Sequence, residues 1–518
     1  MKHFTKSLSF YILFVFLFAY NSSFAQIRHI SYIDYLRNQG FQLNDDLAPF
    51  YHGVASGDPL SDRVIIWTRV TPDRNEASNT NWKLAFPVSW KIATDTAFTQ
   101  IVRSGDIATD VLKDFTVKID VTGLFPNTIY YYQFEAFGKK SMIGTTKTLG
   151  DEESMEPVKL VLVDGNNYSA GYFNAYQRIN ELKNVDAVVM VSGYINEGAT
   201  DEAILNRREI PAAEPSSLQD FRFRYAQYHL DHQLMKTHAK LPFIAIWKNQ
   251  VVNKATPQSS NWDNKQQAAE QAFLEWMPVR VNNGELQRKI SFGKLLDLVM
   301  MDTNPTLQNG VVASTEASVE KVAPFMEASH YDWLSKQLIN SDATWKILTT
   351  NSFFGSVYNA GLDSGTGTDV DRWDNHLNEK NRILEMLQAF NLKNIVVASS
   401  GFKTAMANEV AESRSSYNPA AGKYAQLVEV SLPTVSSPGL IDPYSSSGIQ
   451  TEIRSQNKTD NPHIKLANFK DHGFVEMNIS MKKIDVKWNF MKDITVEDQS
   501  KPKSTVLLSI PSGKSILE

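Results

Sequence analysis

The sequence contains no cysteine. Disulfides, thiolate zinc sites, iron-sulfur clusters, a cysteine nucleophile and a lipoprotein anchor are therefore all excluded. Positive charge is not in excess either: 52 Lys and Arg stand against 57 Asp and Glu, a formal net charge of −5. An electrostatically driven nucleic-acid binder needs the opposite balance, so no nucleic-acid partner is expected. Beyond residue 25 no segment is long and apolar enough to span a bilayer as a helix, which takes about 20 residues. Histidine is sparse, 10 in 518 residues. None lies in a His-x-His, Gly-Asn-His or His-Glu-x-x-His spacing, so imidazole-rich metal sites have no local signature.

What is present is an ordinary globular composition, 42% hydrophobic and 21% charged, long enough for about three domains or two larger ones. The start of the chain sets the compartment. Lys2 and Lys6 precede an uncharged stretch from Leu8 to Tyr20, and small residues follow at Ser23 and Ala25. This is the pattern of a secretory signal over residues 1–25, cut before Gln26. Read as an anchor the apolar stretch is too short, so the expectation is an exported chain, periplasmic, extracellular or cell-surface associated, with no transmembrane segment after cleavage.

From about residue 45 to 148 the pattern is strands and turns. Val64–Val70, Ser89–Ala93, Phe115–Val121 and Ile129–Phe137 are separated by Pro, Gly, Asp and Asn. The run Leu124-Phe125-Pro126-Asn127-Thr128-Ile129-Tyr130-Tyr131-Tyr132 resembles the turn and strand of a fibronectin type III or immunoglobulin-like sandwich, in which a tyrosine pins a corner. An N-terminal β sandwich within residues 26–150 follows, most simply a packing module.

From Val158 the character changes. Leu160–Val163, Ala187–Val191, Phe243–Trp247, Ile347–Thr349 and Ile395–Ala398 are short apolar runs suited to a sheet covered on both faces. Helices are expected at Leu218–His238, Gln266–Trp276 and Asn381–Phe390 from apolar spacing such as Ile383, Leu384, Leu387 and Phe390. Met477, Ile479 and Met481, then Ile484, Val486, Trp488 and Phe490, alternate with polar residues and predict a terminal hairpin. Gly361–Gly367 and Ser445–Gly448 read as surface loops. In such α/β arrangements the chemistry sits in loops leaving the carboxyl ends of the strands.

Several blocks in order along the chain carry a family resemblance. His52-Gly53-Val54-Ala55-Ser56-Gly57-Asp58-Pro59 with Ile65-Ile66-Trp67-Thr68-Arg69 resembles the entry motif of PhoD-like alkaline phosphatases. The likeness continues at Gly171-Tyr172-Phe173-Asn174-Ala175-Tyr176, Arg224-Tyr225-Ala226, Trp276-Met277-Pro278-Val279-Arg280, Ser436-Ser437-Pro438-Gly439 and Asn461-Pro462-His463. The resemblance implies that residues 151–518 form an α/β/β/α metallophosphatase sandwich. It also implies clustered iron and calcium and hydrolysis of phosphate monoesters and diesters, with hard oxygen and imidazole ligands holding paired ions about 3.5 to 4 Å apart.

Set against that motif pattern, the ligand positions are changed. The family's cysteine after the first catalytic strand corresponds to Gly165 in Val163-Asp164-Gly165-Asn166, and its bridging aspartate to Gly193 in Ser192-Gly193-Tyr194. The family's Trp-Asp-Asp-His-Glu reads Trp247-Lys248-Asn249-Gln250-Val251, its Gly-Asp-Val-His reads Ser400-Gly401-Phe402-Lys403, and its Asp-Thr-Arg reads Asp302-Thr303-Asn304. A lysine ammonium about 5 Å from a divalent ion is repelled by roughly 7 kcal/mol at an effective dielectric near 20, so Lys403 in the histidine's place opposes metal.

The pocket candidates that remain are Asp164, Asn166, Lys248, Asn249, Asn351 and Lys403, with Glu197 nearby. No residue among them is assigned as catalytic or as a metal ligand, and no cofactor is expected. Asp164 and Asn351 could donate to one weak calcium ion, but the plainer and preferred reading is that Asp164 and Asn166 close a strand-to-helix turn. His463, His229 and His232 are likewise read as structural or solvated. Three functions stay open: an inactive pseudophosphatase serving as a binding or assembly module with a protein partner; a phosphoesterase with a rebuilt site; and a metal-free phosphate-ester binder using Lys248 and Lys403.

Overall fold

Apolar runs such as Leu160–Val163 offer no polar face to water, so they are satisfied only where a sheet is covered on both sides. The computed structural model places them so. It describes residues 32–72, 84–200, 207–247, 261–281, 286–301, 326, 328–358, 372–401, 403–422, 424–439, 441, 446–497 and 500–518. The leader at 1–25 and the loop Gly361–Gly367 lie outside these residues.

The N-terminal third holds β1 (Val54–Gly57), β2 (Arg63–Arg69), β3 (Phe86–Ala93), β4 (Ile101–Thr109), β5 (Thr116–Thr122), β6 (Ile129–Ala136), β7 (Lys139–Lys140) and β8 (Gly144–Lys147). Next come β9 (Val158–Asp164), β10 (Ala187–Ser192), β11 (Pro242–Ala245), β12 (Arg288–Phe292), β13 (Leu296–Met300) and β14 (Trp345–Thr350). The last are β15 (Ile395–Ser399), β16 (Ala405–Val410), β17 (Leu427–Ser431), β18 (Ile464–Asn468), β19 (Gly473–Ile479), β20 (Lys483–Met491) and β21 (Pro502–Pro511). Among the helices are α1 (Tyr32–Asn38), α2 (Asn174–Glu181), α3 (Leu218–His229), α4 (His232–Lys240) and α5 (Asn261–Trp276). They continue with α6 (Ala328–Ile339), α7 (Leu377–Ala389) and α8 (Ser446–Ser455).

A nine-stranded sheet runs β21-β20-β19-β9-β10-β11-β1-β2-β5, and a seven-stranded sheet runs β12-β13-β14-β15-β17-β16-β18. Alternation along each strand sends side chains to different layers. Leu160, Leu162, Val189 and Val191 meet Leu298, Ile347, Val396 and Val430 between the sheets. Val161, Val163, Val188 and Met190 turn outward onto Tyr176, Phe221 and Trp276 from α2, α3 and α5. On the far side Val299, Leu348 and Val397 pack under Leu334, Ile383 and Leu387 of α6 and α7. This is the α/β/β/α order expected. Two indoles tie the sheets as well: Trp488 Nε1 donates to Ser431 O at 3.2 Å and Trp345 Nε1 to Ser480 O at 2.7 Å.

The β sandwich is present. Its outer layer is β4-β3-β6-β7 with β8 on β6, and Val88, Ile92, Tyr132 and Phe134 face Val54, Val64, Ile66 and Val121. The tyrosine corner is Tyr130, whose hydroxyl accepts from Phe125 N at 2.8 Å. The inner layer, β1-β2-β5, is also the end of the nine-stranded sheet, joined through the parallel pairs Ser56–Pro242 and Gly57–Phe243.

Local expectations are corrected in four places. Leu218–His238 is two helices, because Asp231 caps a new one by accepting from Gln233 N and Leu234 N. The terminal hairpin is a three-stranded meander, since β21 pairs along all of β20. Met481 is not in its buried face; it sits exposed in the turn between β19 and β20. The loop read at Ser445–Gly448 begins α8 at Ser446, with residue 445 outside the described set.

Where the sandwich meets the helical layer, three imidazoles are enclosed. His229 stacks on His238 with centroids 5.0 Å apart and lies 4.8 Å from Trp67, while His52 meets Trp276 edge-on at 5.2 Å. Burial holds His229 down at about 3 and places His52 and His238 well below the usual imidazole value, the Arg69 charge adding to the effect at His52. Neutral in the fold and titrating near 6.5 when unfolded, each contributes stability that is complete above about pH 6.5 and lost as pH falls toward its folded value. For His229 the loss at pH 5 is about 2 kcal/mol. Urea midpoints measured from pH 7 to 4 should fall steeply below 6.5, and His229→Gln should flatten the slope; a flat wild-type profile would contradict this account.

Candidate functional site

The parallel strands β9, β10, β14, β15 and β17 end together, and their exits form the candidate site. After β9, Gly165 turns with φ +64°, and after β10 Gly193 does so with φ +60°. These loops bond each other: Gly165 N donates to Ser192 O at 3.3 Å and Asn166 N to Gly193 O at 2.9 Å. On the second sheet Ser400 N donates to Thr350 O at 3.0 Å.

One segment bridges the two groups. Leu432 N donates to Ser399 O at 3.0 Å on the second sheet, and Val435 N to Asp164 O at 2.7 Å on the first. Ser436 N and Ser437 N both reach Gly165 O, at 3.2 and 2.9 Å. Thr434 Oγ1 donates to Ser437 O at 2.6 Å and lies 3.0 Å from His472 Nδ1. A hydroxyl has one hydrogen, so this geometry assigns the proton of that pair to Nδ1.

Four of the six pocket candidates have a described place. Asp164 and Asn166 are buried. Asn166 does more than close a local turn: Nδ2 donates to Tyr194 O at 3.0 Å and Oδ1 accepts from Tyr176 at 3.1 Å, tying two loops and a helix. Asn351 is buried on the second sheet, with Oδ1 accepting from Ser352 Oγ at 3.1 Å. Glu197 is buried with Trp247 Nε1 3.3 Å from Oε1. Lys403 is exposed at φ +56°, so water screens the repulsion argued for it above. Lys248, Asn249, Asp302, Thr303 and Asn304 lie outside the described residues. His463 is structural, its Nε2 2.8 Å from Ser356 O.

Sequence reasoning missed three members. Thr434 and His472 come from segments with no chemical motif of their own. Glu429, inside β17, is fully enclosed and accepts from Phe354 N, Gly355 N, Ser399 Oγ and Asn408 Nδ2 at 2.6–2.8 Å. Burial pushes its carboxyl pKa up while those bonds oppose the rise. It pins the loop after β14 across the strand ends. A lone Glu in an apolar strand was the available signal.

Two family models match the chain: the PhoD-like phosphatase over residues 160–488 and the PhoD-like phosphatase N-terminal domain over 37–150. The chain belongs to the PhoD-like phosphatase family. Alkaline phosphatase D of Bacillus subtilis (strain 168) is 31% identical to it over 385 residues, 70% of this chain and 66% of that protein. The solved structure of PhoD aligns with a TM-score of 0.76 at 26% identity, covering 92% of this chain and 93% of that one. A purple acid phosphatase from yellow lupin (Lupinus luteus) seeds shares the fold, with a TM-score of 0.51 at 10% identity over 88% of this chain and 73% of that one.

PhoD-like membership corrects the expectation that no cofactor is involved, because the family resemblance carries iron and calcium with it. The donor set of the described residues does not fit such a cluster. Among them no three His, Cys, Asp or Glu side chains converge as a metal site. Gly165 and Gly401, where the motif resemblance expects family ligands, are also sterically closed. A Cβ on Gly165 would lie 2.7 Å from Thr434 Cγ2, and one on Gly401 would collide with the backbone oxygen of Asn351.

Closure of that kind is measurable. Gly401→Ala, at φ +87° against Asn351, should cost about 3 kcal/mol, from left-handed strain plus overpacking. Gly422→Ala, at φ +74° with nothing within 4 Å, should cost only about 1 kcal/mol. Chemical denaturation of both variants checks the difference, and equal losses would show that Gly401 is not crowded.

Proposed function

We propose that the chain is an exported PhoD-like protein that has lost the family's phosphoesterase turnover and serves as a binding or assembly module. The observation that carries this reading is the closed backbone at Gly165 and Gly401. At these two positions the family places metal-facing side chains, and here the main chain turns with φ +64° and +87° against Thr434 and Asn351. Simple replacement of a ligand by a similar residue would leave room for its return; a turn packed against neighbouring atoms does not. Gly193, at φ +60°, supports the same reading at the bridging-aspartate position.

The hydrogen bonds among the strand-end loops support a rigid surface. Ser436 Oγ donates to Asn167 O and accepts from Asn167 N, at 3.0 and 2.8 Å, and Glu429 holds the facing loop. Such a surface suits recognition by a protein partner, which needs preorganised loops and no transition-state charge stabilisation. Export is supported by Lys2, Lys6 and the Leu8–Tyr20 stretch. Among the described residues no helix is long and apolar enough to cross a membrane.

The test is turnover of p-nitrophenyl phosphate and bis(p-nitrophenyl) phosphate by the purified chain with iron and calcium supplied. The alkaline phosphatase D relative from Bacillus subtilis serves as positive control. Nitrophenolate release at the buffer level is expected for both substrates. Release well above buffer that a chelator abolishes would overturn the proposal and favour a rebuilt phosphoesterase site.

A further inference from the structure

A cavity of about 700 Å³ lies away from the strand exits. It lies at the opposite end of the second sheet, where α7 leads into β15, β16 ends and β17 begins, and the final segment Gly513–Ile516 forms its remaining wall. That volume falls within the range of about 300–1,000 Å³ usual for small-ligand sites. We propose that this cavity is a binding site for a neutral oligosaccharide, separate from the candidate site at the strand exits.

Three features point to that chemistry. Tyr424 lines the cavity with 59% of its surface exposed, a flat ring open to stacking. Sugars present alternating C–H faces and hydroxyl edges, and an exposed tyrosine with nearby amides matches both, giving apolar contact and directed hydrogen bonds. The amides are Gln388, Asn391 and Gln426. Gln426 Oε1 is enclosed and has no hydrogen-bond donor among the described residues, so turning that amide into the cavity would let it accept from an incoming hydroxyl.

Charge argues against the alternatives. Lys393, Lys514 and Glu412 are exposed at the rim, and no arginine lines the cavity. The two rim lysines stand against Glu412, and solvent screens the single net charge that is left, so it supplies little anchoring for an anionic ligand such as a phosphate or a sulfated glycan. An acyl chain would bury three amides without partners. The site is also preformed. Gly513 N donates to Asn394 Oδ1 at 2.6 Å, Ser515 Oγ to Gln426 O at 3.0 Å and Leu517 N to Glu409 Oε1 at 2.8 Å, fixing the C-terminal wall.

The experiment is saturation-transfer difference NMR on the full chain with cellohexaose, maltohexaose, xylohexaose and chitohexaose as separate probes, a method that registers weak binding. Transfer to at least one probe is expected. Affinity should fall by about tenfold in Tyr424→Ala, the loss of one aromatic anchor, and fall in Gln426→Leu, while Tyr424→Phe retains it. Tyr424 is exposed, so thermal unfolding of Tyr424→Ala should match wild type. No transfer from any of the four probes, or undiminished transfer in Tyr424→Ala, would overturn the assignment.

Discussion

The face-to-face contact of the nine- and seven-stranded sheets is the constraint on which the rest of the molecule depends. Leu160, Leu162, Val189, Val191, Val396 and Val430 have no other place to go, and each such side chain is worth about 1.5–3 kcal/mol when fully buried. Once those faces meet, the exits of β9, β10, β14, β15 and β17 open at one end of the layered stack. The segment from Leu432 to Ser437 can then span from Ser399 to Asp164. The strand-end site is thus a product of core packing first and of polar chemistry second.

Much of this was legible in the chain. Alternation and apolar runs locate the buried strands because burial on one or both faces leaves a periodic trace. Tyr130 announced its corner through Leu124-Phe125-Pro126-Asn127, since that hydrogen bond is local. Breaks decided by a single cap were not legible: Asp231 divides a helical pattern that stays amphipathic on either side of it. Nor was β21, an edge strand where Leu507 is apolar yet exposed while Val506 and Leu508 are only partly covered, so that the run of apolar residues shows no clean alternation.

At the candidate site, Asp164 and Asn166 could be read because they follow a recognisable strand. Gly165, Gly193 and Gly401 could be read as departures from family ligands, but their steric closure could not, since it depends on Thr434 and Asn351 arriving from elsewhere in the chain. Glu429 illustrates the same limit: its donors come from Phe354, Gly355, Ser399 and Asn408, so nothing local marks its importance. Lys403, exposed to solvent, opposes a cation less than the crowded backbone turns at Gly165 and Gly401 do.

The sharing of β1, β2 and β5 between the sandwich and the long sheet has a consequence for how such a protein can evolve. Through Ser56–Pro242 and Gly57–Phe243 the two parts are one hydrogen-bonded fabric, and the same strands line the sandwich core. A recombination event that exchanged the front module for an unrelated one would uncover the rim of β11 and strip Val54, Val64 and Ile66 of their neighbours. The two parts can therefore be inherited only as a single unit, each supplying a face or an edge that the other must cover.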